Sequence, residues 1–199
     1  DHQLSFPLGI GSVPAHAHLV VVTTLRGHQV RVYDIGGSGG GGGRLVCKMG
    51  KENGRSGNGE GEFNEPWGVV GTADSAHVII AEQSNNRLQL LTLTVSGEGT
   101  KAALAFVRFI GDGPLKTPEG LALRSVGGRE TVLVAEYGGH QVSEWSLEGT
   151  KVRTIGTGNR GSGDGELNGP NGVTVLPASG HIAIADCLNH RVVIFDGET

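Results

Sequence analysis

The chain has 199 residues, 36 of them glycine, a hydrophobic share of 37% and a formal net charge of −4. Glycine far above the usual ~7%, without a G-x-y period, excludes a collagen-like chain and implies many tight turns, while recurrent Val/Ile/Leu runs exclude a wholly disordered one. The acidic balance disfavours a nucleic-acid binder, whose contact face is usually basic, and no apolar run approaches the ~20 residues of a membrane span.

The first element is a strand predicted after Leu4-Ser-Phe-Pro7-Leu-Gly9-Ile10. Proline fixes φ near −65°, and the glycine two residues on permits a conformation or a close approach that a Cβ would block. An aliphatic run, Val20–Thr24, gives a second strand, and a new run begins at Val30 after the polar turn Gly27-His28-Gln29. The low-complexity stretch Gly36–Gly43 reads as a lengthened hairpin loop, and a fourth strand, Arg44–Met49, ends in Gly50.

The same order returns three times. Phe63-Asn-Glu-Pro66-Trp-Gly68-Val69 is followed by Val78–Glu82, the turn Asn85-Asn86-Arg87, Leu88 and a strand closing at Gly111. Leu115-Lys-Thr-Pro118-Glu-Gly120-Leu121 is followed by Val132–Glu136, Gly139-His140-Gln141, Val142 and a strand closing at Gly156. Leu167-Asn-Gly-Pro170-Asn-Gly172-Val173 is followed by Ile182–Asp186, Asn189-His190-Arg191 and Val192, and stops before a fourth strand. The prolines are 59, 52 and 52 residues apart. Two anchors in register over four copies predict four-stranded antiparallel units, the blades of an all-β propeller, over about 4–50, 63–111, 115–156 and 167–199 of one domain.

On these residues the chain resembles the NHL-repeat β-propeller family. Gly57-Asn-Gly59-Glu-Gly61-Glu-Phe63-Asn-Glu-Pro66-Trp-Gly68-Val69 is similar to the first half of that repeat, and Ile184-Ala-Asp186-Cys-Leu-Asn189-His190-Arg191-Val-Val-Ile-Phe195 to the second. The first and third repeats depart from it with Gly-His-Gln. The resemblance implies a ring of about six blades, of which four would be a part; a small four-bladed ring is the alternative. A chain opening on Asp1 rather than Met fits a piece of a longer one, whose exposed blade edges would favour association.

Strand counting puts the linkers between blades and the turns between second and third strands on one face. The linkers there carry more acid (Glu52, Glu60, Glu62, Glu65, Asp112, Glu119, Asp164, Glu166) than base (Lys51, Arg55, Lys116, Arg160), and the turns are balanced. Some propellers of the family bind RNA on a basic top face; an acidic face offers few phosphate contacts, so RNA is the weaker expectation and a protein partner the stronger. Candidate contact residues are Trp67, Glu119 and Asn171, variable occupants of the P-x-G position, with Tyr137, His140 and His190 in or beside the turns. The acid and the residue five places on (Glu82 with Arg87, Glu136 with Gln141, Asp186 with Arg191) read as structural pairs across the hairpin neck. Thr24 and Gln29 replace both charges in the first repeat.

No nucleophile elbow, H-E-x-x-H or unrepeated His/Asp cluster is present. No catalytic residue, cofactor or metal ligand is therefore assigned, and the recurrent histidines read as architecture. Related six-bladed scaffolds host an amidating lyase, lactonase-like hydrolases and strictosidine synthase-like proteins, so part of a channel-centred hydrolase or lyase with a metal is the alternative to a binding scaffold. Cys47 and Cys187 define no disulfide framework and favour a reducing, intracellular compartment.

Overall fold

A computed structural model describes residues 4–36, 43–97 and 101–197, so the loop expected at Gly36–Gly43 lies mostly outside the described residues. The first blade comprises β1 (Pro7–Ser12), β2 (Leu19–Thr24), β3 (Gln29–Asp34) and β4 (Arg44–Met49). The second comprises β5 (Pro66–Gly71), β6 (His77–Glu82), β7 (Arg87–Ser96) and β8 (Lys101–Ile110). The third has β9 (Pro118–Val126), β10 (Arg129–Glu136), β11 (Gln141–Ser146) and β12 (Lys151–Ile155), and the fourth has β13 (Pro170–Val175), β14 (Ile182–Asp186) and β15 (Arg191–Phe195). Each sheet takes its strands in chain order, as expected, and the fourth has three. The blades group into two compact units, Asp1–Asn85 with Gln89–Arg108, and Asn86–Leu88 with Phe109–Thr199.

Each of the four anchor prolines is the first residue of its blade's first strand. The left-handed backbone falls one residue before the proline and not at the glycine, at Phe6 (φ 58°), Glu65 (53°), Thr117 (53°) and Gly169 (60°). Residues before proline are pushed out of the right-handed helical region, and here they turn the chain through the left-handed one. The P-x-G glycines serve close approach instead: a Cβ on Gly9 would lie 2.1 Å from the Trp67 carbonyl oxygen, and one on Gly120 2.6 Å from that of Asn171. Register irregularities sit beside the proline in every blade, where the first strand bends away from the second.

In the first unit, Val13, Leu19, Val21, Val30 and Val32 of the first blade pack on Phe63, Val69, Val78, Ile80, Leu91 and Leu93 of the second. The second unit repeats the arrangement, with Leu133, Ala135, Val142 and Ile155 on Leu167, Ile182 and Ile184. Each such aliphatic side chain, buried, contributes about 1.5–3 kcal/mol. Within each unit one face of a blade, here called forward, meets the backward face of the next. Phe63 and Leu167, each three residues before a proline, plug these two seams, and Leu115 at the same position of the third repeat is buried too.

Candidate functional site

The linkers and turns expected to share a face are bound together by one hydrogen-bond scheme, repeated within the second, third and fourth blades. Its centre is the carboxylate ending the second strand. Glu82, Glu136 and Asp186 are 0–1% exposed, and an ionised group so placed must be fully partnered. Each accepts the backbone N–H two residues before its blade's proline: Asn64 to Glu82 (3.1 Å), Lys116 to Glu136 (2.9 Å) and Asn168 to Asp186 (2.6 Å). The acid thus pins the end of the linker to its own blade. Burial alone would push the Asp186 carboxyl up, but the Asn168 N–H, Asn189 and Arg191 outweigh it and hold it below the ordinary aspartate value.

Turn side chains complete the shell. Arg191 Nε donates to Asp186 at 2.8 Å while its other nitrogens reach the carbonyls of Ser162 and Glu166. Gln141 donates to Glu136 at 2.9 Å. In the second blade Gln89 also bridges Glu82 (2.9 Å) and the Glu62 carbonyl, and the Arg87 guanidinium lies 3.8 Å from the centre of the Phe109 ring. Asn85 and Asn189 each donate both to their own acid and to a linker carbonyl, Gly57 and Gly161. Those two blades have the long Gly-rich linkers. The third has a short linker and carries Gly139 at that position.

The glycines of the long linkers make room for an acid. Glu62 accepts from Gly59 N and Glu166 from Gly163 N, and a Cβ on Gly57 or Gly161 would collide with those carboxylates. The Gly59 N–H first and Lys51 second hold the Glu62 carboxyl below its ordinary value.

The histidines in the middle of three turns, His28, His140 and His190, read from the sequence as architectural, with no partner named for them. His28, Asn86, His140 and His190 all take left-handed φ, 48–53°. His28 Nδ1 accepts the N–H of Glu65 (3.1 Å), Asn86 Oδ1 that of Thr117 (2.8 Å) and His140 Nδ1 that of Gly169 (3.2 Å). The donor is always the left-handed residue before a proline. This clasp joins the turn to the start of the following first strand, and it needs the histidines neutral, with the proton on Nε2.

Of the candidate contact residues, His190 is exposed, and Trp67, Asn171, Tyr137 and His140 are half-buried. Tyr137 lies beside Gly169 and Leu188. The Trp67 carbonyl accepts the Thr23 hydroxyl at 2.6 Å. Glu119 is a correction: only 3% exposed, it is enclosed beside the buried Pro118 and offers no surface to a partner as it stands.

A second polar cluster, at the opposite end of the second unit, was missed. Buried Glu144 accepts from Thr131 (2.6 Å) and Arg153 (2.7 Å), with Arg124 at 3.5 Å. Burial opposes its ionisation, yet these donors hold the carboxyl below the ordinary glutamate value. Arg124 and Arg153 both donate to the Gly197 carbonyl as well. The group borders an open cleft of about 1290 Å³. The available signal was positional: Glu144 stands where the other repeats have Val32, Leu90 and Ile194. Among the described residues no group of three or more His, Cys, Asp or Glu is placed to hold a metal ion, and both cysteines are free. Among the described residues no helix is long and apolar enough to cross a membrane.

Residues 167–195 match the family model of the NHL repeat. No curated protein matches the sequence. Among solved structures, the chain is similar to one in the crystal structure of a nidogen/laminin complex, with 16% identity and a TM-score of 0.66 over 97% of this chain and 61% of that one. An auxiliary nutrient binding protein from Bacteroides thetaiotaomicron gives 13% and 0.65 over 94% and 47%. A streptogramin B lyase gives 13% and 0.60 over 96% and 55%. The chain therefore spans about half to three fifths of the length of these structures, and identities this low carry the fold alone.

Proposed function

Taking an NHL-repeat β-propeller chain as the premise, we propose a non-catalytic binding scaffold over 1–199 that meets a protein partner on the surface of linkers and turns. The observation that carries this reading is where the chemistry is spent. Glu82, Glu136 and Asp186, the acids that a catalytic or metal reading would use, are saturated by backbone N–H groups and turn side chains. They hold irregular linkers in fixed positions, and a fixed irregular surface loses little freedom on binding. The acid excess of the linkers fits a partner with basic residues rather than RNA.

The test is site-specific photo-crosslinking in cells, with a photoreactive residue at exposed Glu60 or Arg160 on the linkers, or at Asp74 or Glu148 on the opposite loops. A discrete protein adduct from the linker positions only is the expected result. Adducts from the opposite loops alone, or adducts to RNA, would overturn the assignment.

A further inference from the structure

Four asparagines of this chain are followed by glycine: Asn53, Asn58, Asn168 and Asn171. Such a pair can modify itself. Glycine has no side chain to shield its nitrogen or restrict its backbone, so that nitrogen can attack the preceding carboxamide. The four pairs share one local chemistry, and the fold decides which of them reacts.

Two of them, both in the second unit, are held at every point that must move. Ring closure swings the Asn–Gly peptide until its nitrogen meets the asparagine Cγ. The N–H of half-buried Asn168 is held by Asp186 (2.6 Å), its carbonyl accepts the Leu188 N–H (3.0 Å), and the N–H of buried Gly169 is clasped by His140 Nδ1 (3.2 Å). Asn171 is half-buried in β13, and its peptide lies against Gly120: a Cβ on that glycine would sit 2.6 Å from the Asn171 carbonyl oxygen and 2.9 Å from Gly172 Cα.

Asn53 and Asn58 are exposed, in the linker between the first and second blades. Exposure does not separate them, but their hydrogen bonds do. The Gly59 N–H donates to the Glu62 carboxylate at 3.2 Å, and the Gly59 N–H and Lys51 keep that carboxyl ionised. The attacking nitrogen must lose its proton, and here the resulting anion would stand beside a carboxylate. The Gly54 N–H donates instead to a neutral acceptor, the Lys51 carbonyl, at 3.0 Å. Asn53 Oδ1 in turn accepts the Arg55 N–H at 3.0 Å. That bond closes a ring that contains the Gly54 nitrogen and keeps the carboxamide beside it. It also sets a donor on the oxygen that becomes negative when Cγ is attacked.

We propose that Asn53 is a site of spontaneous deamidation, activated by its own turn, while the fold restrains Asn58, Asn168 and Asn171. The Gly54 nitrogen gives its proton to hydroxide and bonds to Asn53 Cγ. The bond from Cγ to the side-chain nitrogen breaks, and that nitrogen takes up a proton and leaves as ammonia. Water then opens the cyclic imide at either carbonyl, giving aspartate or isoaspartate. The balance is water in and ammonia out, with no oxidant or reductant. Either product adds a negative charge to the linker, and isoaspartate also lengthens the main chain ahead of Arg55. Deamidation at Asn53 and partner binding at the linkers are independent, and either assignment can fail without the other.

The test is to incubate the folded chain at mildly alkaline pH and follow each pair by peptide mapping, with electron-transfer fragmentation to tell isoaspartate from aspartate. Asn53 should convert first, at least as fast as the same sequence in a free peptide. Asn58 should lag by about tenfold, the effect of a like charge at hydrogen-bonding distance in water. Asn168 and Asn171 should lag by about 100-fold, since each waits for local opening. Glu62→Gln should raise Asn58 towards Asn53 and leave Asn53 unchanged, and in concentrated urea the four rates should converge. An Asn53 that stays intact after the free peptide has converted, or any other pair reacting first in the folded chain, overturns the proposal. An E62Q variant in which Asn58 is no faster overturns the electrostatic ranking.

Discussion

Replacing Asp186 by alanine probes the scheme that holds the linkers. The carboxylate is wholly buried and accepts three hydrogen bonds, from Asn168 N at 2.6 Å, Asn189 Nδ2 at 2.7 Å and Arg191 Nε at 2.8 Å. Breaking a buried ion pair from one side costs about 3–5 kcal/mol, and each buried donor left without an acceptor about 1–3 kcal/mol. The Arg191 side chain is 36% exposed and keeps the Ser162 and Glu166 carbonyls, so water compensates part of its loss. The Asn168 N–H and the Asn189 amide are less easily hydrated. The net expectation is a loss of about 3 kcal/mol, against about 1 kcal/mol for Arg191→Ala, which leaves Asp186 two of its donors. Urea denaturation followed by the fluorescence of Trp145, 5% exposed in the same unit, measures both. A cost for D186A under about 1 kcal/mol, or one no larger than that of R191A, would refute the idea that the acid is the centre of the scheme.

Other expectations follow from the same geometry. His140→Asn should be nearly neutral, because Asn86 already performs the clasp with Oδ1 at the same φ, whereas His140→Ala should cost about 1–2 kcal/mol; thermal melts of the pair separate the clasp from general packing. Gly120→Ala sets a Cβ 2.6 Å from the Asn171 carbonyl and should lower stability by about 1–3 kcal/mol in the same melts. Phe63→Ala opens a cavity in the first seam at a cost of about 3–5 kcal/mol, read by urea denaturation. The folded-state carboxyls of Asp186 and Glu144 are both held low. Their stabilisation is complete above the unfolded values near ~4 and is lost as pH falls through the lower folded values. The melting temperature should therefore be insensitive to these groups at neutral pH and drop below pH ~4, with a shallower drop in Asp186→Asn.

The repeat was legible because its anchors are chemically stringent. A proline at the start of each first strand and an acid at the end of the second strand in three of the four blades are readable one residue at a time, and both stand where expected. The clasp was less legible because its requirement is a function rather than a residue type. Histidine and asparagine both tolerate left-handed φ and both reach a neighbouring N–H, so His28, Asn86 and His140 look unlike while acting alike. The acid was read as a partner for the residue five places on, as Glu136 is for Gln141 and Asp186 for Arg191. Its constant partner is a backbone N–H about 20 residues earlier, invisible in side-chain identities. Diversity at the P-x-G position suggested exposure and misled for Glu119, because what recurs there is the carbonyl of Trp67 or Asn171 rather than the side chain. Glu144 shows the converse: one charge in an aliphatic register marked a buried ion cluster.

The central claim, that acids and clasps fix the linkers of each unit in defined positions, is tested most directly by amide hydrogen exchange at six positions. The N–H groups of Asn64, Lys116 and Asn168 are held by the acids, and those of Glu65, Thr117 and Gly169 by the clasps. All six should exchange about 100-fold or more slowly than in an unstructured chain, the protection expected for an opening cost of about 3 kcal/mol. Exchange at unstructured-chain rates at these amides, with the strands themselves protected, would contradict it.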